Sequence, residues 1–445
     1  MAIKAGQMLH VGNQFLLDRL QTAGPGDLNI PTEKIYELGN RQSVAVVRDI
    51  PDLSFTADAL DVSTEIEAML VGKNGDGTTA GETTPAIAAD PFGDDGVTGT
   101  AYNLADYKPI DITSPWRTTN AGSNFAAVRG VVVPNLYLES AAYTYGLTDN
   151  AGESFTLRGD SVFYVPGHPY TEVYDGDGVE TAFDFDVANL PSGTPAALLY
   201  MEQGKEIYAL SVSVDSVRKL PDVDYTETAT GIEFLVPPAN GTKIQVIYGS
   251  AKGKDYTQAV HQGTSVKPAA IRGKDIQVYI GLAGGNPFFW TGVQSVSVNW
   301  SVTLEDDFEF GNPRAVARDF ADVPSVTGSL DIKPASVDDL FAKIRQISGV
   351  TDPLQVVGPQ SSVTLPLEIR LLNPESGGIP NGTDIPGGVS GTDVYTAGMV
   401  LKTLYIPDAR FTLPGYQGQV QQKLVQTINF ESDTGILEVF RGLRF

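Results

Sequence analysis

Residues 296–304 read Val-Ser-Val-Asn-Trp-Ser-Val-Thr-Leu. Val296, Val298, Trp300, Val302 and Leu304 fall on one face of an extended chain, and Ser297, Asn299, Ser301 and Thr303 on the other, because successive side chains of a strand point to opposite sides. This pattern predicts a half-buried β-strand. The same period recurs at Val363, Leu365, Leu367, Ile369 and Leu371, where Pro366 on the opposite face marks an edge or a bulge, since proline cannot donate to a ladder. It recurs again from Leu424 through Ile428 to Phe430 and from Ile232 through Phe234 to Val236. With 47 Gly and 28 Pro punctuating such runs, the expected fold class is all-β dominated.

Two helices are expected. Val337, Leu340, Phe341, Ile344 and Ile347 share one helical face over Val337 to Ser348, with Ser336 as N-cap, Asp338 and Asp339 in the first turn and Gly349 closing the end. A shorter helix follows Ser63, with Ile66, Met69 and Leu70 apolar and Gly72 at its end.

These helices belong to an internal repeat at a separation of about 270 residues. Glu37-Leu38-Gly39-Asn40 matches Glu309-Phe310-Gly311-Asn312, and Val44-Ala45 matches Val316-Ala317. Asp49-Ile50-Pro51-Asp52-Leu53-Ser54 matches Asp322-Val323-Pro324-Ser325-Val326-Thr327, and Ala59-Leu60-Asp61-Val62 matches Ser329-Leu330-Asp331-Ile332. Val133-Pro134-Asn135 parallels Ile406-Pro407-Asp408. The matches keep their order, so one domain is expected twice, at 1–165 and 253–445, each a β-sandwich or barrel with one flanking helix.

The segment 166–252 has its own character. Asp175-Gly176-Asp177-Gly178 and Pro237-Pro238-Ala239-Asn240-Gly241 are turns between short strands that include Phe183 and Phe185, Ile232 and Phe234, and Ile244, Val246 and Tyr248. A small inserted β-sandwich is expected, independently solvated: 13 acidic less 5 basic residues leave it at −8. Two Gly-, Thr- and Asp-rich stretches, Lys73 to Ser114 and Asn373 to Thr396, are expected to be corresponding long loops, one projecting from each copy.

The whole chain has 445 residues, more than one core usually supports. Its 42% hydrophobic and 19% charged composition is that of folded, soluble protein. With 54 acidic and 30 basic residues its formal charge is −24, which opposes phosphate neutralisation and so excludes an ordinary DNA-binding module. Two situations fit that charge: solubility in high salt, or a wall past which DNA slides without sticking. The absence of Cys excludes disulfides, thiolate metal sites and Cys nucleophiles. Met1 to His10 has no apolar signal region and no long apolar run follows, which predicts a cytoplasmic product that neither inserts in a membrane nor is secreted.

Catalytic and metal-binding patterns are sought without success. His10, His168 and His261 lie in separate segments without ligand spacing. Gly388-Val389-Ser390-Gly391 lacks the spacing of a nucleophile elbow, and Gly249 to Lys254 is one residue short of a phosphate loop, with Asp255 where a hydroxyl is needed. Asp175 to Gly178 reads as a turn rather than a calcium loop. Arg158-Gly159-Asp160-Ser161 carries an adhesion tripeptide but reads as a strand boundary, and Glu305-Asp306-Asp307 as the polar end of the Trp300 strand. No catalytic, cofactor-binding or metal residue is assigned, and no cofactor is expected.

A duplicated β domain with a flanking helix and a long loop, interrupted by a small β-sandwich, resembles the tail tube proteins of long-tailed phages and archaeal viruses. The central segment is similar to β modules of tail and fibre proteins through Gly176-Asp177-Gly178, Thr181, Phe183 and Phe185, and through Ile244, Val246, Tyr248 and Gly249. The resemblance implies a non-enzymatic virion protein that partners itself. Three chains would form a ring of six tube domains, the rings would stack, other tail proteins would meet the tube ends, and DNA would pass at ejection without specific binding. It also implies that the long loops contact the next ring and that the helices sit in the ring wall. Competing readings are a sheath, baseplate or capsid-decoration protein, a carbohydrate-binding surface protein, and a glycosidase with paired carboxylates.

Overall fold

In the computed structural model, strand Val293–Ser301 turns Val296, Val298 and Trp300 into the core, while Asn299 and Ser301 on its other face are exposed. Val302 and Leu304 are buried as well, but the ladder breaks after Ser301 and Leu304 opens a hairpin, Leu304–Asp307 with Ala317–Phe320. The structure describes the strands and their close connections between residues 5 and 441. The longest stretches outside the description are 36–44, 61–100 apart from Glu67 and Leu70, 119–128, 186–199, 251–270, 334–362, 373–399 and 413–424.

The protein is all-β, with several antiparallel sheets. Most strands of 5–166 and 276–441 join one closed β system around a single large core that includes Phe55, Phe155, Leu157, Trp300, Leu330, Leu404 and Phe430. Proline is accommodated at bulges: the register shifts across Pro366, between Leu365 and Leu367, and across Pro134, between Val133 and Leu136. Beside Pro134, Asn135 takes a left-handed φ of 56°, a conformation that asparagine tolerates better than most residues.

The two halves pair their strands in the same register. Tyr137 faces Arg158 in the first half, and Arg410 faces Glu431 in the second; 410 less 137 and 431 less 158 are both 273. Phe55 faces Leu157, and Gly328 faces Phe430, each again 273 residues on. Even an irregularity recurs, for the shift between Leu20 and Thr22 has its counterpart between Val293 and Ser295. The hairpin Thr32–Ile35 with Ala45–Arg48 reproduces Leu304–Asp307 with Ala317–Phe320 at a separation of 272, so that Lys34 opposite Val46 corresponds to Asp306 opposite Arg318.

This register corrects two sequence expectations. Ala59 corresponds to Ile332, both ending their strands, so the match of Ala59-Leu60-Asp61-Val62 to Ser329–Ile332 is three residues out of step. The two Gly-rich stretches do not occupy corresponding places. Strand Ile110–Thr118, within and beyond the first stretch, has Leu365–Leu372 as its counterpart: Ile112 faces Val133 and Leu367 faces Ile406. The first stretch therefore precedes its strand and the second follows it. Nor is the first all loop, because Tyr102, Leu104, Ile110 and Ile112 are buried in the main core. The helix expected at Val337 to Ser348 lies outside the described residues. Of the shorter helix Glu67 and Leu70 are described, both helical and fully buried.

Between the halves, strands His168–Asp175 and Lys243–Ser250 run antiparallel from His168 opposite Ser250 to Asp175 opposite Lys243, which brings entry and exit side by side. A four-stranded and a three-stranded sheet enclose a separate core of Phe183, Phe185, Tyr225, Phe234, Val246 and Tyr248. Val236, expected to continue the Ile232 strand inward, is 74% exposed beyond the strand's end at Phe234. The segment is also not solvated on all sides. Leu210 and Ile247 form a buried cluster with Val132 and Phe163 of the first half.

Candidate functional site

The most constructed polar region is the junction of the two halves. Ser140–Gly146, the end of the long strand Arg129–Gly146, pairs antiparallel with Ser295–Ser301, so one sheet runs unbroken from first half to second. Ridge contacts extend the seam: the Tyr107 ring meets Trp300 edge-on at 6.2 Å and lies 5.2 Å from Phe320. Burial pushes the Tyr107 hydroxyl up well beyond its ordinary range, with Tyr137 adding to it.

Above the ladder lies an ion network. Arg158 Nε donates to Asp52 at 2.8 Å, and Arg158 Nη2 reaches Asp306 of the second half at 3.4 Å. Asp306 also accepts from Arg318, whose remaining nitrogens donate to the Arg158 and Gly159 carbonyls at 3.3 Å and whose guanidinium lies 5.7 Å from the Tyr137 ring centre. The adhesion-like tripeptide is thus consumed by structure: Arg158 binds carboxylates, Gly159 is an acceptor, and buried Asp160 pairs with Arg218 at 3.1 Å. The three carboxylates at 305–307 form one hairpin strand, and Asp306 links two arginines.

A second cluster is buried. Lys402 Nζ, from strand Val400–Thr412, donates to Glu67 at 2.6 Å and to both oxygens of Glu153 at 2.8 and 2.9 Å. Tyr143 donates to Glu67 at 2.9 Å and its ring lies 5.0 Å from the ammonium. Burial alone draws the Lys402 ammonium down, but Glu153 and Glu67 together outweigh it and raise its pKa. Burial, reinforced by the two carboxylates, raises the Tyr143 and Tyr145 hydroxyls well above their ordinary range. All three charged side chains are fully enclosed, so the cluster is shut off from any substrate and ties the halves together instead.

No family model and no curated protein matches this chain. An open cleft of about 180 Å³ beside the junction is lined, among the described residues, by Tyr145, Leu147, Gly273, Trp290, Gln294 and Ser295, among others, with no carboxylate, histidine or cation in that lining.

Of the other motifs, Asp177 accepts from the Val179 and Glu180 amides, which hold its carboxyl below the usual range, and Asp175 pairs with Lys243. These are the bonds of a turn. His10 and His168 fall in separate strands, whereas His261, residues 251–255 and Gly388–Gly391 lie outside the described residues. Among the described residues no group of three His, Cys, Asp or Glu side chains could hold a metal, and no helix is long and apolar enough to cross a membrane. Sequence reasoning missed Lys402, Glu67 and Glu153. A lone lysine within Val-Leu-Lys-Thr-Leu-Tyr-Ile at 400–406 was the available signal, because such a charge is buried only when paired.

Proposed function

We propose that this chain is a structural subunit of a viral tail tube, with three copies closing into a ring of six similar domains and rings stacking into a conduit for DNA. The observation that carries the reading is the junction itself. Two halves with the same strand register meet through unlike edges, chiefly the end of Arg129–Gly146 against Val293–Ser301, with a shorter crossing of Ala101–Asn103 against Glu438–Arg441. A contact between unlike surfaces repeats from unit to unit and, where its rotation closes, generates a ring. The same geometry offered by the second half to the first half of another chain would continue the ring.

Other features support it. The polar clusters fasten halves to each other rather than facing a cleft, as suits a scaffold. A charge of −24 on each chain disfavours retention of a passing polyanion. The segment 166–252, with its own core and adjacent ends, is read as an outward module of the tube, and the domain limits as 1–165, 166–252 and 253–445.

Electron microscopy with mass measurement of the smallest closed particle tests this. The expected result is hollow rings of about 142 kDa, three times 47.4 kDa, that stack. Compact monomers at every salt and protein concentration would overturn it. Closed rings containing six chains would overturn the three-chain count.

A further inference from the structure

We infer that Glu431 of one copy of this chain pairs with Lys34 of the next, at a contact that reproduces the internal Arg158–Asp306 pair with its charges exchanged. The inference rests on the head-to-tail reading above and adds the residues that specify it.

The shared register converts the internal junction into a map of the external one. Arg158 corresponds to Glu431, since each faces the equivalent partner, Tyr137 and Arg410. Asp306 corresponds to Lys34, since their hairpins match residue for residue at 272. Arginine against aspartate inside the chain becomes glutamate against lysine between chains. Two neighbouring positions change in the same sense. Asp52, which binds Arg158 internally, has Ser325 at its counterpart, so the carboxylate that holds Arg158 is not repeated at Glu431. Arg318 on the internal hairpin has Val46 in its place, whereas Tyr137, beneath Arg318, has Arg410. A cation has crossed from hairpin to sheet.

The side chains on the second half suit such a contact. The Arg158 side chain is 26% exposed with its partner in place, whereas the Glu431 side chain is 54% exposed and, among the described residues, has a loose 3.7 Å approach from Arg410. Buried Arg410 Nε makes no hydrogen bond among the described residues.

The exchange also enforces order. A second half meeting another second half would set Glu431 against Asp306, and a first half meeting a first half would set Arg158 against Lys34. Both are like-charge contacts. The first and second halves therefore have to alternate, which is specificity obtained by repulsion of the wrong partner.

Because the chain has no Cys, a K34C/E431C variant can be joined by a short bis-maleimide without background. The expected result on a denaturing gel is a ladder of two and three chains, whereas R158C/D306C stays at one chain. Separately, E431K or K34E should raise the concentration needed for assembly roughly tenfold, and the two together should restore it. A ladder running past three chains keeps the pairing and overturns the three-chain ring. Cross-linking confined to single chains in a preparation that assembles, or no rescue by the double reversal, overturns the pairing. A wild-type chain that never assembles overturns the tube reading and this inference with it.

Discussion

Lys402 is a cation with no exposure, held by two carboxylates that are equally enclosed. Such a group is compatible with a folded core only while its partners remain, since an unpaired buried charge loses its hydration without compensation. Lys402→Met would leave Glu67 and Glu153 facing each other in the core, and a loss of about 3–5 kcal/mol is expected in chemical denaturation. Adding Glu67→Gln and Glu153→Gln should recover most of it. The pH dependence follows from the sign of the Lys402 shift. A lysine held above its unfolded value contributes stability that is fully present below that value and is lost as pH rises through the folded one. On the alkaline side the difference between wild type and Lys402→Met should thus hold up to about pH 10.4 and narrow only above it.

Single residues of the strand Ile110–Thr118 decide how the inserted segment attaches. Asp111, buried at the foot of that strand, accepts from the Asn135 amide at 2.7 Å, from Gln245 Nε2 at 3.0 Å and from Ser211 Oγ at 3.4 Å, the last two belonging to the insert. Burial raises its carboxyl pKa, outweighing the lowering by the Asn135 amide, Arg218 and the insert's donors. A carboxyl whose folded pKa lies above its unfolded value binds its proton more tightly when folded, so stability grows as pH falls from the folded value toward about 3.9. The protection of Lys243–Ser250 amides, taken relative to their unfolded exchange rates at each pH, should rise on mild acidification, and Asp111→Asn should remove that rise. Asp111→Ala, which strands three donors, should cost about 1–3 kcal/mol. A fall in that protection on acidification would contradict this account of the seam.

For the molecule as a whole, the insert and the main body have separate cores joined by a narrow contact of Val132, Phe163, Leu210 and Ile247 and by the Asp160–Arg218 pair. Replacing 166–252 with a Gly/Ser linker uncovers Val132 and Phe163, so polar substitutions at both belong in the variant. The expected outcome under electron microscopy is that this variant still forms tubes, since entry and exit of the segment already lie side by side. Failure to assemble across several linker lengths would make the segment part of the wall.

Much of the architecture follows from local rules that need no partner. Alternation at 296–304, the proline-marked bulge at 366 and the turn at 175–178 are consequences of strand period, a missing amide proton and short-range hydrogen bonding. The order of the repeat was legible because turn residues keep their spacing. Its register was not, since equivalent positions exchange volume: Phe55 opposite Leu157 becomes Gly328 opposite Phe430, where a methyl group on Gly328 would lie 2.2 Å from the Phe430 ring. Charge exchange at Arg158 and Glu431 disguised the junction in the same way. Sequence by itself determined the all-β class, the strongly alternating strands and the proline-marked bulge, because those depend on neighbours along the chain. Only the tertiary structure decided that Lys402 meets Glu67 and Glu153, that Asp111 is buried under the insert, and that the halves join edge to edge, because those energies arise between residues a hundred or more positions apart.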